Sequence, residues 1–310
     1  MTHKKVILAG DGAVGSSFAF SAIQQHLVDE LVIVDTKPGK SNGDSLDLED
    51  VTAFNGNVDV HGGSYSEASD ADIAVITAGV PRKPGESRLD LVNKNMTILK
   101  AIVEPIVQSG FHGIFLVSAN PVDVLTTATA KLSGFPKNRI IGTGTSLDSA
   151  RLQVALAHTL GVSVLEVNAY VLGEHGDSEF AAYDEATVKD QPLRKYAVDH
   201  GITNADLDQI EADVRTKGGQ IISQKGATFY GVATSLATLT KAIFNNENLV
   251  LSVGTALDGE YGISGVYCGS PAIINRNGAT TLTMPLSDSE LEKMQNSAAM
   301  LKQIVEQAAI

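Results

Sequence analysis

The apolar run Lys5–Ala9 (KVILA) leads directly into Gly10-Asp11-Gly12-Ala13-Val14-Gly15, and a helical pattern opens behind it over Ala13–Gln25. A G-x-G-x-x-G is weak evidence alone. Between a strand and a helix it is a phosphate-binding turn. The first glycine permits the tight turn, the second lets backbone approach a pyrophosphate, and the third allows close helix–strand packing. The helix N-terminus adds free N–H groups and a positive dipole end. The next strand, Leu31–Asp35 (LVIVD), ends in a carboxylate about 20 residues past the last glycine, where it can accept from both ribose hydroxyls of a dinucleotide. A 2′-phosphate would be repelled there, so the motif implies NAD. Gly10, Asp11, Gly12, Ala13, Val14, Gly15 and Asp35 are the expected cofactor residues. Thr77-Ala78-Gly79, ending another strand, is expected to let backbone near the adenosine half.

The pattern continues. Asp72–Thr77, Ile114–Ser118 and Arg139–Gly142 read as further buried parallel strands. Ser41–Phe54, Arg88–Ser109 and Val122–Leu132 read as the helices between them. Alternation of this kind predicts an α/β fold with a doubly wound parallel sheet of the Rossmann type. The second half is less regular: helices over Thr145–Leu160, Leu207–Lys217, Phe229–Phe244 and Ser287–Ala308, a strand over Val167–Leu172, and a hairpin region in glycine-rich Gly254–Ser270. Gly161 stops the first of these helices. We expect residues 1–143 to form the NAD-binding domain and 144–310 an α+β substrate domain. No linker-like tract separates them, so they should pack as one body.

Composition excludes several classes. The net charge of −13 argues against a nucleic-acid surface, which needs a basic patch. One cysteine, Cys268, allows neither an internal disulfide nor a cysteine-based zinc site, and no metal is expected. A zinc alcohol dehydrogenase is excluded on the same ground, and a short-chain dehydrogenase by the lack of Tyr-x-x-x-Lys. No signal peptide or apolar run of roughly 18 residues is visible, so the cytoplasm and no membrane association are expected.

Of seven histidines, His175 stands out. It lies in Gly173-Glu174-His175-Gly176-Asp177, after the strand Val167–Leu172, where a loop can present it to a cleft. Hydride transfer to a ketone needs a proton donor, and imidazole titrates near neutrality. A carboxylate should orient that ring; Asp148 is the candidate. Asp148 and Arg151 are three apart on a helix and share a face. Arg151 suits a substrate carboxylate, through a bidentate fork. From spacing alone, the plainer reading of the pair as an ordinary intrahelical ion pair carries more weight.

The segments GDGAVG, LVIVD, RKPGESRLDLVNKN, NPVDVLT, GTSLDSAR, GEHGDSEF and KGATFYGVA span nearly the whole chain. On them the chain resembles the L-lactate/L-malate dehydrogenase family, most closely the L-lactate dehydrogenases of lactic-acid bacteria. The resemblance implies His175 as acid/base with Asp148 as partner, and Arg151 on the substrate carboxylate. Arg88 would polarise the carbonyl. Asn120 would hydrogen-bond substrate and orient nicotinamide. Thr228 and Val232 would line the pocket beside substrate and cofactor. Val80–Arg88 would belong to a loop closing over the site. A homo-oligomer is also implied, a tetramer more than a dimer. The activator-binding arginine and histidine of fructose-bisphosphate-regulated relatives are matched by Gln153 and Tyr170, so weak or no activation by that sugar phosphate is expected.

One residue departs from the lactate pattern. Where lactate dehydrogenases usually carry glutamine, this chain has Arg82, as malate dehydrogenases do. An arginine desolvated against the methyl of pyruvate lacks a partner. Against the second carboxylate of oxaloacetate it gains one, and losing such a partner costs about 2–5 kcal/mol, or roughly 30- to 5,000-fold. Thr228 pulls the other way, because malate enzymes usually have a smaller residue there. Weighing charge above volume, the sequence favours oxaloacetate/L-malate, with pyruvate/L-lactate as the alternative. A non-catalytic NAD-binding sensor on the same fold explains the glycine motif and Asp35 but not His175, Asp148, Arg88 and Arg151 together.

Overall fold

The computed structural model describes residues 3–81, 85 and 87–308, with Arg88 described for its backbone alone. Arg82 and the Arg88 side chain therefore lie outside the described residues. The chain runs β1 (Lys5–Ala9), α1 (Ala13–Gln24), β2 (Glu30–Val34), α2 (Pro38–Asn55), β3 (Asp59–Gly62), β4 (Ile73–Ile76), α3 (Arg88–Gln108), β5 (Ile114–Val117), α4 (Val122–Ser133) and β6 (Ile140–Gly142). It continues through α5 (Ser146–Leu160), β7 (Val167–Leu172), β8 (Phe180–Val188), β9 (Gln191–Pro192), α6 (Leu193–Asp199), α7 (Asn204–Lys225), α8 (Tyr230–Asn245), β10 (Leu249–Asp258), β11 (Ser264–Asn275), β12 (Gly278–Thr281) and α9 (Asp288–Gln307).

Six parallel strands lie in the order β3-β2-β1-β4-β5-β6. That is the Rossmann order, and its direction reverses between β1 and β4, where ligands of open α/β sheets bind. Strand alternation builds a core on each face: Val6 and Leu8 point to one, with Phe18 of α1 and Leu236 of α8, while Ile7 and Ala9 point to the other, with Leu99 and Ile106 of α3. Each fully buried Val, Leu, Ile or Phe among them contributes about 1.5–3 kcal/mol.

The second half does not stand apart. Antiparallel β10 pairs with β6 through Gly254 and Gly142, and β11 and β12 extend the same sheet to nine strands. The hairpin read at Gly254–Ser270 is this β10–β11 pair, longer at both ends. Strands β7, β8 and β9 form a separate three-stranded sheet over the core that Leu152 and Leu156 of α5 share with Val214 of α7.

Some boundaries differ from those the sequence suggests. Helix α7 begins earlier and continues past Lys217 through Gly218 and Gly219 to Lys225. A capping box fixes its start: the Thr203 hydroxyl accepts the Asp206 N–H, and the Asp206 carboxylate accepts the Thr203 N–H at 2.8 Å. Strands β3, β8, β9 and β12 and helix α6 are additions. Among the described residues no helix is long and apolar enough to cross a membrane.

Candidate active site

The dinucleotide turn forms where the motif puts it. Gly10 has φ +105°, and a Cβ on it would sit 2.6 Å from the Ala78 nitrogen. A Cβ on Gly15 would fall 2.0 Å from the Gly10 carbonyl oxygen. Thr77 Oγ1 donates to that same carbonyl at 2.7 Å, which ties the end of β4 to the turn. Gly12 is different: a Cβ there would meet nothing within 4 Å. Protein packing does not demand that glycine, and the open space over it fits a pyrophosphate.

Asp35, just past β2, accepts the N–H of Asp11 at 2.8 Å and of Lys37 at 2.9 Å. Burial pushes its pKa up, but these donors outweigh that and hold it below the usual carboxylate value, so it is an anion at neutral pH. The carboxylate of Asp11 is buried and pairs with Lys40 Nζ at 3.0 Å. Asp11 can offer the cofactor its backbone, while its side chain braces α2. Burial, aided by the charge of Asp44 and opposed by Lys40, pushes it up to about 6. Ala13 is exposed, and Val14 packs on the core beneath α1. Gly79 lies beside Asn95, whose side chain accepts the Val80 N–H at 2.8 Å and donates to the Asn120 carbonyl at 2.6 Å. Asn95 thus joins the root of the expected loop to the segment carrying Asn120, a role sequence reading missed.

His175 is held from three sides. Its Nδ1 lies 2.6 Å from Asp148 Oδ2 on α5. Its backbone N–H donates to Asp123 Oδ2 on α4 at 2.8 Å. The N–H of Glu174 donates to Ser297 Oγ on α9 at 2.7 Å, and Ser178 links the two side chains. Asp148 uses its other oxygen for Arg151 Nη1 at 2.9 Å. The ion pair predicted by spacing is therefore present, and the same carboxylate also orients the imidazole.

The electrostatics follow from burial against charge. Burial would lower the His175 pKa, but the Asp148 carboxylate outweighs it, with smaller help from Glu179 and Asp123, and raises it to about 9. Burial would raise Asp148, but His175 and Arg151 hold it below its ordinary value. With Nδ1 committed to Asp148, Nε2 is the nitrogen left to exchange a proton with a ligand.

His175 lines a small cavity of about 30 Å³ with Asn120, Val232, Ser118, Thr143 and Ser235. His175, Asn120 and Val232, three expected site residues from far apart in sequence, meet in one cleft at the junction of the two halves. Thr228 is half-buried in the turn between α7 and α8 and is not among that cavity's lining. Asp123, Glu174, Ser297 and Glu179 were not singled out from sequence; Asp123 lies in NPVDVLT, and Glu174 and Glu179 lie in GEHGDSEF, but the contacts of Asp123 with His175 and of Ser297 with Glu174 are tertiary.

Residues 4–142 match the family model described as lactate/malate dehydrogenase, NAD binding domain, and residues 145–309 match its alpha/beta C-terminal domain. The chain belongs to the lactate/malate dehydrogenase family. It is an NAD-dependent dehydrogenase. An L-lactate dehydrogenase of Pediococcus pentosaceus is 55% identical over 98% of this chain and 95% of that protein. One of Lactobacillus delbrueckii subsp. bulgaricus is 58% identical over 96% and 97%. The crystal structure of the minor L-lactate dehydrogenase from Enterococcus mundtii in its ligands-bound form superposes with a TM-score of 0.96, at 41% identity and 99% of both chains. Within this family, the glycine turn and Asp35 fit the residues that would hold NAD, which supplies or accepts the hydride when bound.

Proposed function

We propose that the enzyme interconverts pyruvate and L-lactate. The observation that carries this is the set of relatives named L-lactate dehydrogenase, 51–58% identical over essentially the whole chain. The oxaloacetate preference argued from sequence rests on Arg82 alone, and Thr228 already opposed it. Arg82 supports a second, narrower reading, in which oxaloacetate is an additional substrate.

In this reading residues 1–143 carry NAD and residues 144–310 carry the acid/base and carboxylate-binding groups. Arg151, fixed by Asp148, takes the carboxylate of the 2-oxo acid. The protonated imidazole of His175 donates from Nε2 to the carbonyl oxygen during reduction and recovers that proton during oxidation. Arg88 stabilises the charge that develops on the oxygen. Asn120 hydrogen-bonds the substrate. Asp148 keeps the imidazole in the tautomer and orientation that transfer requires. The enzyme acts in the cytoplasm as a homotetramer.

Steady-state kinetics with both oxo acids test the substrate assignment. Wild type is expected to give the higher kcat/KM with pyruvate, and Arg82→Gln should lower activity on oxaloacetate about 30-fold or more while sparing pyruvate. A wild type that turns over oxaloacetate much faster than pyruvate contradicts the assignment.

A further inference from the structure

A second buried carboxyl stands beside the acid/base imidazole. Glu179, the residue before β8, is 5% exposed. Its Oε2 lies 3.9 Å from His175 Nδ1, the atom that bonds Asp148. Carboxylate oxygens of Asp148 and Glu179 and a ring nitrogen of His175 all lie within 4.8 Å of one another. The position of Glu179 is built. Its N–H donates to the Gly176 carbonyl at 3.3 Å, closing the turn that directly follows His175. Its own carbonyl accepts Arg215 Nη2 of α7 at 2.8 Å. A carboxyl is expensive to bury, and nothing about packing at the start of a strand requires one.

We propose that Glu179 is a positioning residue of the His175 acid/base unit, a second carboxyl that with Asp148 sets the range over which the imidazole keeps its proton. At 3.9 Å it is too far to take the Nδ1 proton from Asp148, so it acts through its field. The charged groups around it come from every neighbouring element. Asp148 and Arg151 face it from α5 and Arg215 from α7, where Glu211 in turn pairs with Arg215 at 2.7 Å. Asp123 of α4 faces His175, Glu174 and Asp177 share the loop, and Lys293 of α9 lies over the neighbouring Phe180 ring. Burial and the charge of Asp148 push Glu179 up to about 8, against the pull of His175, Arg215 and Arg151. Near neutral pH it is therefore an uncharged acid. As pH rises it ionises next to the imidazolium and delays loss of the His175 proton.

The proposal rests on His175 being the proton donor, and the test separates the two. The pH dependence of kcat/KM for pyruvate reduction is measured for wild type, Glu179→Gln, Glu179→Asp and His175→Gln. An opposite charge within about 4–6 Å shifts a pKa by about 1–3 units, so Glu179→Gln should move the alkaline limb down by about 1 unit. Its activity relative to wild type should fall as pH rises. L-Lactate oxidation, which needs the neutral ring, should shift in the same direction and gain near pH 8. Glu179→Asp, which keeps the carboxyl, should restore part of the limb. Full activity in His175→Gln overturns the underlying reading and the proposal with it. An inactive His175→Gln beside a Glu179→Gln whose limb is unmoved, or whose loss is equal at every pH, overturns the Glu179 role alone. Isotope-edited infrared titration of wild type needs no variant to fold: a glutamic acid that loses its proton between pH 7 and 9 is expected, and its absence overturns the proposal.

Discussion

Asp148 holds a cation on each of its oxygens, Arg151 on Oδ1 and His175 on Oδ2. A buried carboxylate survives in this setting because both partners are hydrogen-bonded as well as charged. Its folded pKa lies below the unfolded value of 3.8, so its contribution to stability is present above that value and is lost as pH falls through the folded pKa. His175 is shifted the other way. Its contribution is full below the unfolded value of 6.5 and is lost as pH rises through about 9. The two windows overlap at mildly acid pH. Thermal melts of wild type and Asp148→Asn should therefore differ most at about pH 5–6, with the gap narrowing toward pH 9. A gap that is constant across that range contradicts the pairing.

At the scale of elements, two glycines of one motif do different jobs. Gly15 sits where α1 meets the turn, and an added methyl would strike the Gly10 carbonyl. Gly12 faces open space. Gly12→Ala should leave the melting temperature nearly unchanged yet weaken NADH binding, by about tenfold or more, since any lost contact worth 1.4 kcal/mol does so. Gly15→Ala should lower both. Fluorescence titration and calorimetry read the two effects, and a Gly12→Ala enzyme with wild-type NADH affinity contradicts the assignment of the cradle. The motif itself was legible because strand, turn, helix and acid are all local. Strands β1, β2, β4, β5 and β6 were legible because buried parallel strands are continuous apolar runs. Strand β3 was not: Asp59–Gly62 is a short edge segment with a charged residue and a histidine. Helix α7 looked shorter than it is because Gly218 and Gly219 are poor helix formers, and tertiary packing overrides that local preference.

At the scale of the molecule, the site exists only because the two halves share one sheet. Strands β6 and β10 meet at Gly142 and Gly254, where a Cβ on Gly254 would lie 3.1 Å from the Gly142 Cα. Asn120, from the first half, lines one cavity with His175 and Val232, from the second. Helix spacing alone reads Asp148 and Arg151 as an ordinary ion pair; their expected roles, with that of His175, come from the segments GTSLDSAR and GEHGDSEF that carry the family resemblance. Sequence could not reveal Asp123, Asn95, Ser297 or Glu179, whose contacts join residues up to 123 positions apart. Arg82 is a single residue, and relatives named L-lactate dehydrogenase weigh against an oxaloacetate preference.

The central claim is that an imidazolium on His175, sustained by Asp148, delivers the proton during reduction of a 2-oxo acid. The pH dependence of kcat/KM for NADH-driven pyruvate reduction, compared between wild type and Asp148→Asn, tests it most directly. Wild type should hold a plateau that breaks near pH 9, while Asp148→Asn should be slower by about 10²–10⁴-fold and break closer to pH 6.5. Superimposable profiles, or an Asp148→Asn enzyme as fast as wild type at neutral pH, would contradict it.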